Sequence, residues 1–159
     1  MRVGIGYDIH ALRKGRPLFL GGVKVPFSKG LLGHSDGDVV LHAIVDAALG
    51  AIALGDLGDW FPDTDPRWRG IPSRRFVEKT RRLLKNKGWV VANIDCTLIA
   101  EFPKLGPYRD AIRKSIASQW QIALDTVSVK AKTNERMGEI GRGRAMACLS
   151  VVVLKKIRG

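Results

Sequence analysis

The segment that most restricts the fold is residues 39–49. Nine of its eleven residues are aliphatic: Val39, Val40, Leu41, Ala43, Ile44, Val45, Ala47, Ala48 and Leu49. Ser35, Asp36 and Asp38 stand just before it as candidate caps, so the segment reads as a helix running to about Leu54. A helix apolar on most of its sides must be covered on most of its sides, by a sheet and a second element. The remaining sequence supplies both. Arg2–Tyr7 reads as a short strand, and Pro17–Pro26 as a hairpin turned at Gly21-Gly22. Gly30–Gly37 and Gly55–Gly70 read as loops. Ser73–Lys87 reads as an amphipathic basic helix stopped by Gly88, and Pro107–Trp120 as a helix opened by proline. Trp89–Ala100 is a strand, Thr126–Thr133 alternates with period two, and Ala145–Leu154 is a near-continuous apolar strand. The expected fold class is α+β: one domain over 1–159, with a mixed four- to five-stranded sheet and helices layered on one face.

Charge is distributed unevenly. The net charge is +12, yet no Lys or Arg lies between Leu31 and Pro66. That stretch holds Asp36, Asp38, Asp46, Asp56, Asp59, Asp63 and Asp65, and the three histidines, His10, His34 and His42, lie in it or before it. The basic run Arg74–Lys87 has its apolar residues, Phe76 among them, at helical spacing and lacks the pattern of stacking groups interleaved with charge, so it reads as a solvated helix face. Nucleic-acid binding is not expected; steering of an anionic small substrate is. Cys96 and Cys148 are too few for a disulfide framework and read as buried thiols. The longest strongly apolar stretch, Ala47–Gly55, is too short to span a bilayer, and the N-terminus does not read as a secretion signal. The expectation is a cytoplasmic protein without a membrane segment.

Asp8 and His10, two apart on or after a strand, point to one side. His42 and Asp46, four apart, share one face of the apolar helix. One Asp and two His can fill three corners of a tetrahedral zinc site and leave the fourth open. A D-x-H pair alone is a weak pattern, and a histidine in an apolar helix is also an ordinary core residue. His34-Ser35 precedes the helix N-terminus, where backbone N–H groups favour an anion. Lys130, Lys132, Thr133 and Glu135 add phosphate donors and a carboxylate for a hard cation. Together these residues suggest a metal-dependent enzyme acting on a phosphorylated small molecule.

GYDIH at 6–10, the block 33–66, AEFPKLGP at 100–107 and VKAKTNERMGEIGRGRAMA at 129–147 carry a resemblance to the 2-C-methyl-D-erythritol 2,4-cyclodiphosphate synthase family. It runs from Met1 to about Leu154, and implies a single cyclodiphosphate synthase domain assembling as a homotrimer. It implies one Zn²⁺ per subunit on Asp8, His10 and His42, and Mg²⁺ or Mn²⁺ on Glu135. The implied substrate is a cytidine diphosphate-linked methylerythritol phosphate, cyclised with release of CMP in the non-mevalonate isoprenoid pathway. His34 and Thr133 match transition-state hydrogen-bond donors. Asp56, Gly58 and Asp63 match hydroxyl contacts, while Ser35, Phe61 and Asp65 fall in the same matched block. Ala100, Phe102, Pro103, Lys104, Leu105 and Gly106 match the cytosine pocket, which the neighbouring subunit contributes. Lys132, Thr133, Glu135, Glu139 and Arg142 match further substrate contacts.

The chain departs from the family pattern at Lys132, Glu139 and Arg144. With Arg142 and Arg144 from three copies, six guanidinium groups are expected around a three-fold axis, where an isoprenoid diphosphate or phosphate would satisfy them. A basic nucleotide- or RNA-binding module and a scaffold with a structural zinc are the competing readings.

Overall fold

Strand β1 (Arg2–Lys14) is the spine of the molecule and continues well past the expected end at Tyr7. In this computed structural model, which describes residues 1–157, it pairs antiparallel with the last strand over Arg2↔Leu154 to Ala11↔Ala145. Arg158 and Gly159 of the expected 1–159 span lie outside the described residues. The other strands are β2 (Leu18–Leu20), β3 (Val23–Val25), β4 (Lys29–Leu31), β5 (Trp89–Ile99), β6 (Val127–Lys132) and β7 (Ala145–Lys156). The main sheet has order β4-β1-β7-β5-β6, and β2-β3 forms a separate hairpin. Among the described residues, only β5 and β6 pair in parallel, which requires a crossover. Helix α4 (Arg109–Trp120) lies on that crossover. The expected mixed sheet is therefore present, with five strands.

Helix α1 (Val39–Gly50) is the buried helix, and Asp46 is its one residue besides the terminal Gly50 that is not fully buried. It ends before Leu54 because the chain leaves the helix through Ala53, in the left-handed region at φ 57°. Asp38 is its cap, accepting from the N–H groups of Val40 and Leu41, both at 3.1 Å. The same carboxylate accepts from Gly21 and Gly22 N–H at 2.8 and 2.6 Å, which ties the hairpin turn to the helix start. Burial pushes the Asp38 carboxyl up, with Asp36 adding to it, while these N–H groups oppose the shift.

The approach of α1 to β1 is unusually close, and two glycines permit it. A Cβ on Gly4 would lie 1.9 Å from the Ala47 carbonyl oxygen, and one on Gly6 would lie 2.1 Å from that of Ala43. Gly4, Gly6, Asp8 and His10 share the inward row of the strand. The contact that seats the helix therefore also brings His42 over Asp8.

Helix α3 (Arg74–Asn86) buries Phe76, Val77, Thr80 and Leu84 and solvates its basic face, as its spacing predicts. Helices α1, α3 and α4 share one core with the inward sheet residues Ile94, Cys96, Leu98, Met146, Cys148 and Val152. Cys96 and Cys148 are free and buried. Two short helices were not expected: α2 (Leu57–Trp60) inside the proline-punctuated loop, and α5 (Gly138–Gly141) before β7. Strand β4 also replaces the start of the expected Gly30–Gly37 loop. None of the three is long enough to show a period.

The opposite face of the sheet is bare over most of its area. Val3, Ile5, Tyr7 and Ile9 are 65, 68, 53 and 46% exposed, and Leu149 opposite Tyr7 is 38% exposed. Among the described residues, only its end is covered, where Ile140 of α5 packs on Ala145, Ala147 and Ile99. Among the described residues, no helix is long and apolar enough to cross a membrane.

Candidate metal centre

Asp8 and His10 leave the inward row of β1 where the glycines end, and His42 reaches them from the first turn of α1. Asp8 Oδ2 is 2.8 Å from His10 Nε2 and 3.1 Å from His42 Nδ1, and the two ring nitrogens are 3.1 Å apart. One carboxylate oxygen and two imidazole nitrogens thus converge on one point. Three lone pairs at such distances repel unless a cation or protons lie between them. Oxygen and imidazole nitrogen at three corners, with a solvent-facing fourth direction, is a donor set suited to a borderline divalent ion. The residues fit a metal site.

The outer nitrogen of His42 is held as well. His42 Nε2 lies 2.8 Å from Ser73 Oγ and 3.1 Å from Ser35 Oγ, both buried. The ring also packs on Phe76, centroid to centroid at 5.7 Å. Burial works to raise the Asp8 carboxyl, but hydrogen bonds and charge from His10 and His42 outweigh it and hold it well below the usual range. Burial likewise acts to lower His10, and Asp8 overrides it, so the imidazole is pushed up.

A pocket of about 400 Å³ opens over the triad. It brings together Asp8, His10, His34, Ser35, His42, Gly58, Phe61 and Asp63 from the expected set. His34 stands at the rim, with Nε2 3.3 Å from Asp63 Oδ2 and both side chains largely exposed. Asp46, Leu57, Trp68 and Phe76 also line it and were not expected as site residues. Asp46 had a local signal, the i+4 spacing from His42. Its Oδ1 accepts from Leu57 N–H at 2.7 Å and so fixes α2 beside the pocket. Trp68 and Phe76 had none, since only the fold stacks them on Phe61, at 5.2 and 4.5 Å.

The remaining expected residues lie elsewhere. Ala100, Pro103, Lys104, Leu105, Gly106, Lys132 and Thr133 line a separate pocket of about 340 Å³ at the ends of β5 and β6. Beside it, Thr133 Oγ1 donates to Glu135 Oε1 at 2.6 Å, while Glu135 and Arg136 occupy the left-handed region at φ 48° and 61°. Such strain at non-glycine residues costs roughly 1–2 kcal/mol each and gathers at ligand sites. Phe102 is exposed next to this pocket. Asp56 is engaged in a capping box with Asp59, and Asp65 is gripped by Arg67 at 2.6 and 2.9 Å. Glu139 reaches both Arg142 and Arg144, at 3.1 and 3.4 Å, so those guanidinium groups are paired within the chain.

Residues 1–155 match the sequence model of the YgbB family. The chain is 51% identical over 157 residues to the 2-C-methyl-D-erythritol 2,4-cyclodiphosphate synthase of Desulfitobacterium hafniense, covering 99% of each. Its fold matches the bifunctional IspDF of Campylobacter jejuni with a TM-score of 0.94 at 38% identity, covering 98% of this chain and 42% of that longer one. A 2C-methyl-D-erythritol-2,4-cyclodiphosphate synthase solved in a CDP-bound form matches with a TM-score of 0.90 at 40% identity, covering 97% of this chain and all of the other. Sequence and fold agree over essentially the whole length, and the chain belongs to the YgbB family.

Proposed function

We propose that this enzyme cyclises 4-diphosphocytidyl-2-C-methyl-D-erythritol 2-phosphate to 2-C-methyl-D-erythritol 2,4-cyclodiphosphate, releasing CMP, as a cytoplasmic step of the non-mevalonate pathway. The observation that carries this reading is the Asp8–His10–His42 convergence at the floor of an open pocket, in a chain half identical to synthases of that name. An oxygen of the 2-phosphate forms a bond to the β-phosphorus. The bond from that phosphorus to the bridging oxygen breaks, and its electron pair leaves with CMP. Nucleophile and electrophile belong to one molecule, so the protein's task is to fold the substrate into line and neutralise charge.

Asp8, His10 and His42 would hold zinc, and Glu135 with substrate oxygens a Mg²⁺ or Mn²⁺; bound there, the ions supply Lewis-acid stabilisation of phosphate charge. His34 hydrogen-bonds a phosphate oxygen from the pocket rim, and the Thr133 hydroxyl does the same from the other half once its hydrogen turns from Glu135 to the substrate. Gly58, Asp56 and Asp63 orient sugar hydroxyls. The 100–106 segment reads the cytosine edge with its backbone, and Lys132 faces the diphosphate.

The two half-pockets lie in different linings of one chain, and the sheet carries a bare apolar face. Both features support a homotrimer in which the metal half of one copy faces the cytosine half of the next. A contiguous exposed apolar sheet face is unstable in water without a partner. Arg142 and Arg144 would surround the axis, with Glu139 lowering the net positive charge available to an isoprenoid diphosphate or phosphate there.

The test is ³¹P NMR of purified protein with the cytidyl substrate, Mg²⁺ and Zn²⁺. CMP and a coupled pair of cyclic diphosphate resonances are expected, and neither with His42→Ala. Unchanged substrate from the zinc-loaded wild-type protein would overturn the reading.

A further inference from the structure

Behind His42 lies a closed chain of hydrogen bonds that ends on a carboxylate outside the pocket lining. Ser73 Oγ contacts three groups: Asp36 Oδ1, His42 Nε2 at 2.8 Å and Ser35 Oγ at 3.1 Å. A hydroxyl has one hydrogen to give. The Asp36 carboxylate only accepts, and it is already fixed by the backbone N–H groups of Ser73 at 3.0 Å and Asp38 at 3.2 Å. Ser73 therefore spends its hydrogen on Asp36 and meets its other neighbours as an acceptor. Ser35 gives its hydrogen to Ser73 and accepts from Gly37 N–H at 3.2 Å. The 2.8 Å contact between Ser73 Oγ and His42 must then have its hydrogen on Nε2, with Ser35 Oγ, 3.1 Å from the same nitrogen, beside it. Each hydrogen then has one direction, and that direction originates at Asp36.

We infer that Asp36, acting through Ser73, is a positioning residue that locks His42 in the Nε2–H tautomer and so presents the Nδ1 lone pair to the metal. This rests on the proposed metal-site reading. Partners that fix the tautomer of a metal-bound histidine change metal affinity by roughly 10–100-fold. The substitution Asp36→Ala removes both carboxylate oxygens and tests the direction itself. The Ser73 hydrogen then has no carboxylate to meet and is free to point at His42 Nε2, which favours the Nδ1–H ring, the wrong one for binding.

The experiment measures Zn²⁺ affinity by chelator competition and the His42 ring protons by ¹⁵N NMR, in wild-type and Asp36→Ala protein. The expected result is a proton on Nε2 in the metal-free wild type, a population shifted to the ring protonated on Nδ1 alone in metal-free Asp36→Ala, and zinc affinity lowered by roughly 10–100-fold. Circular dichroism of the two metal-free proteins should coincide. Wild-type affinity and ring protonation in Asp36→Ala would overturn the inference. If that variant does not fold, the wild-type ring still decides: a metal-free wild-type ring with no proton on Nε2 contradicts the chain of donors. Failure of wild-type protein to bind zinc would instead remove the metal-site reading beneath it.

Discussion

The two half-pockets of this chain are built on opposite terms. Around Asp8, His10 and His42 the protein is self-contained: glycines admit the helix, buried serines orient a ring, and an aromatic stack of Phe61, Trp68 and Phe76 forms a wall. Around Thr133, Glu135 and Glu139 the side chains are half or fully exposed: Thr133 donates to Glu135, and Glu139 forms surface ion pairs with Arg142 and Arg144. Exposed pairs of this kind contribute roughly 0–1 kcal/mol. One half is preorganised by its own core. The other is laid out on a rim where only a second surface can enclose it. In the proposed trimer, the preorganised metal half of one copy meets the open half of the next.

The comparison can be broken most severely on the closed side. His42→Ala should abolish zinc retention, measured by metal analysis after dialysis, and lower turnover by at least about 100-fold. Retained metal would mean that the convergence is not the ion's seat. Next comes the bare face, which in the proposed trimer holds the halves together. Ile5→Asp places a charge in the proposed contact and should convert the assembly to monomers in sedimentation, with activity falling in parallel. A monomer of full activity would show that the open half needs no partner. Gly6→Ala should lower stability by about 1–3 kcal/mol in urea unfolding, because backbone lies where the methyl would sit.

A smaller effect is the pH response of the metal-free protein. Asp8 pushes His10 up against its burial, so this contribution is full below about pH 6.5 and is lost as pH rises through the raised value. Zinc-loaded protein should lack that slope in thermal melts. Smallest is Lys79→Ala. Its ammonium sits over Trp68 at 4.5 Å and Phe61 at 5.2 Å, and losing it should cost about 0.5–1 kcal/mol.

Much of the closed half was legible in the sequence. The i, i+2 pair on a strand and the polar i, i+4 pair on an otherwise apolar helix mark a shared face, and the fold needed only to bring the two faces together. Asp38 as cap and Gly21-Gly22 as turn were legible for the same local reasons, although their joint hydrogen bonding was not. The long reach of β1 was not legible, because Ala11–Lys14 carry no strand signal and are held by pairing with β4 and β7. Ser73 and Asp36 lie 37 residues apart, and no periodicity links them. The division of the expected substrate residues into two linings was legible only through the resemblance, which gives the 100–106 segment to a neighbouring subunit, because no local pattern separates them.

The most direct test of the account is complementation between copies. His42→Ala and Thr133→Ala each disable one half, and each protein alone should be nearly inactive. Co-expressed and purified as mixed assemblies, they should recover about one quarter of wild-type activity, the share of intact half-site pairs in random three-fold assembly. Mixed assemblies no more active than either variant alone would contradict a site completed by a neighbouring copy.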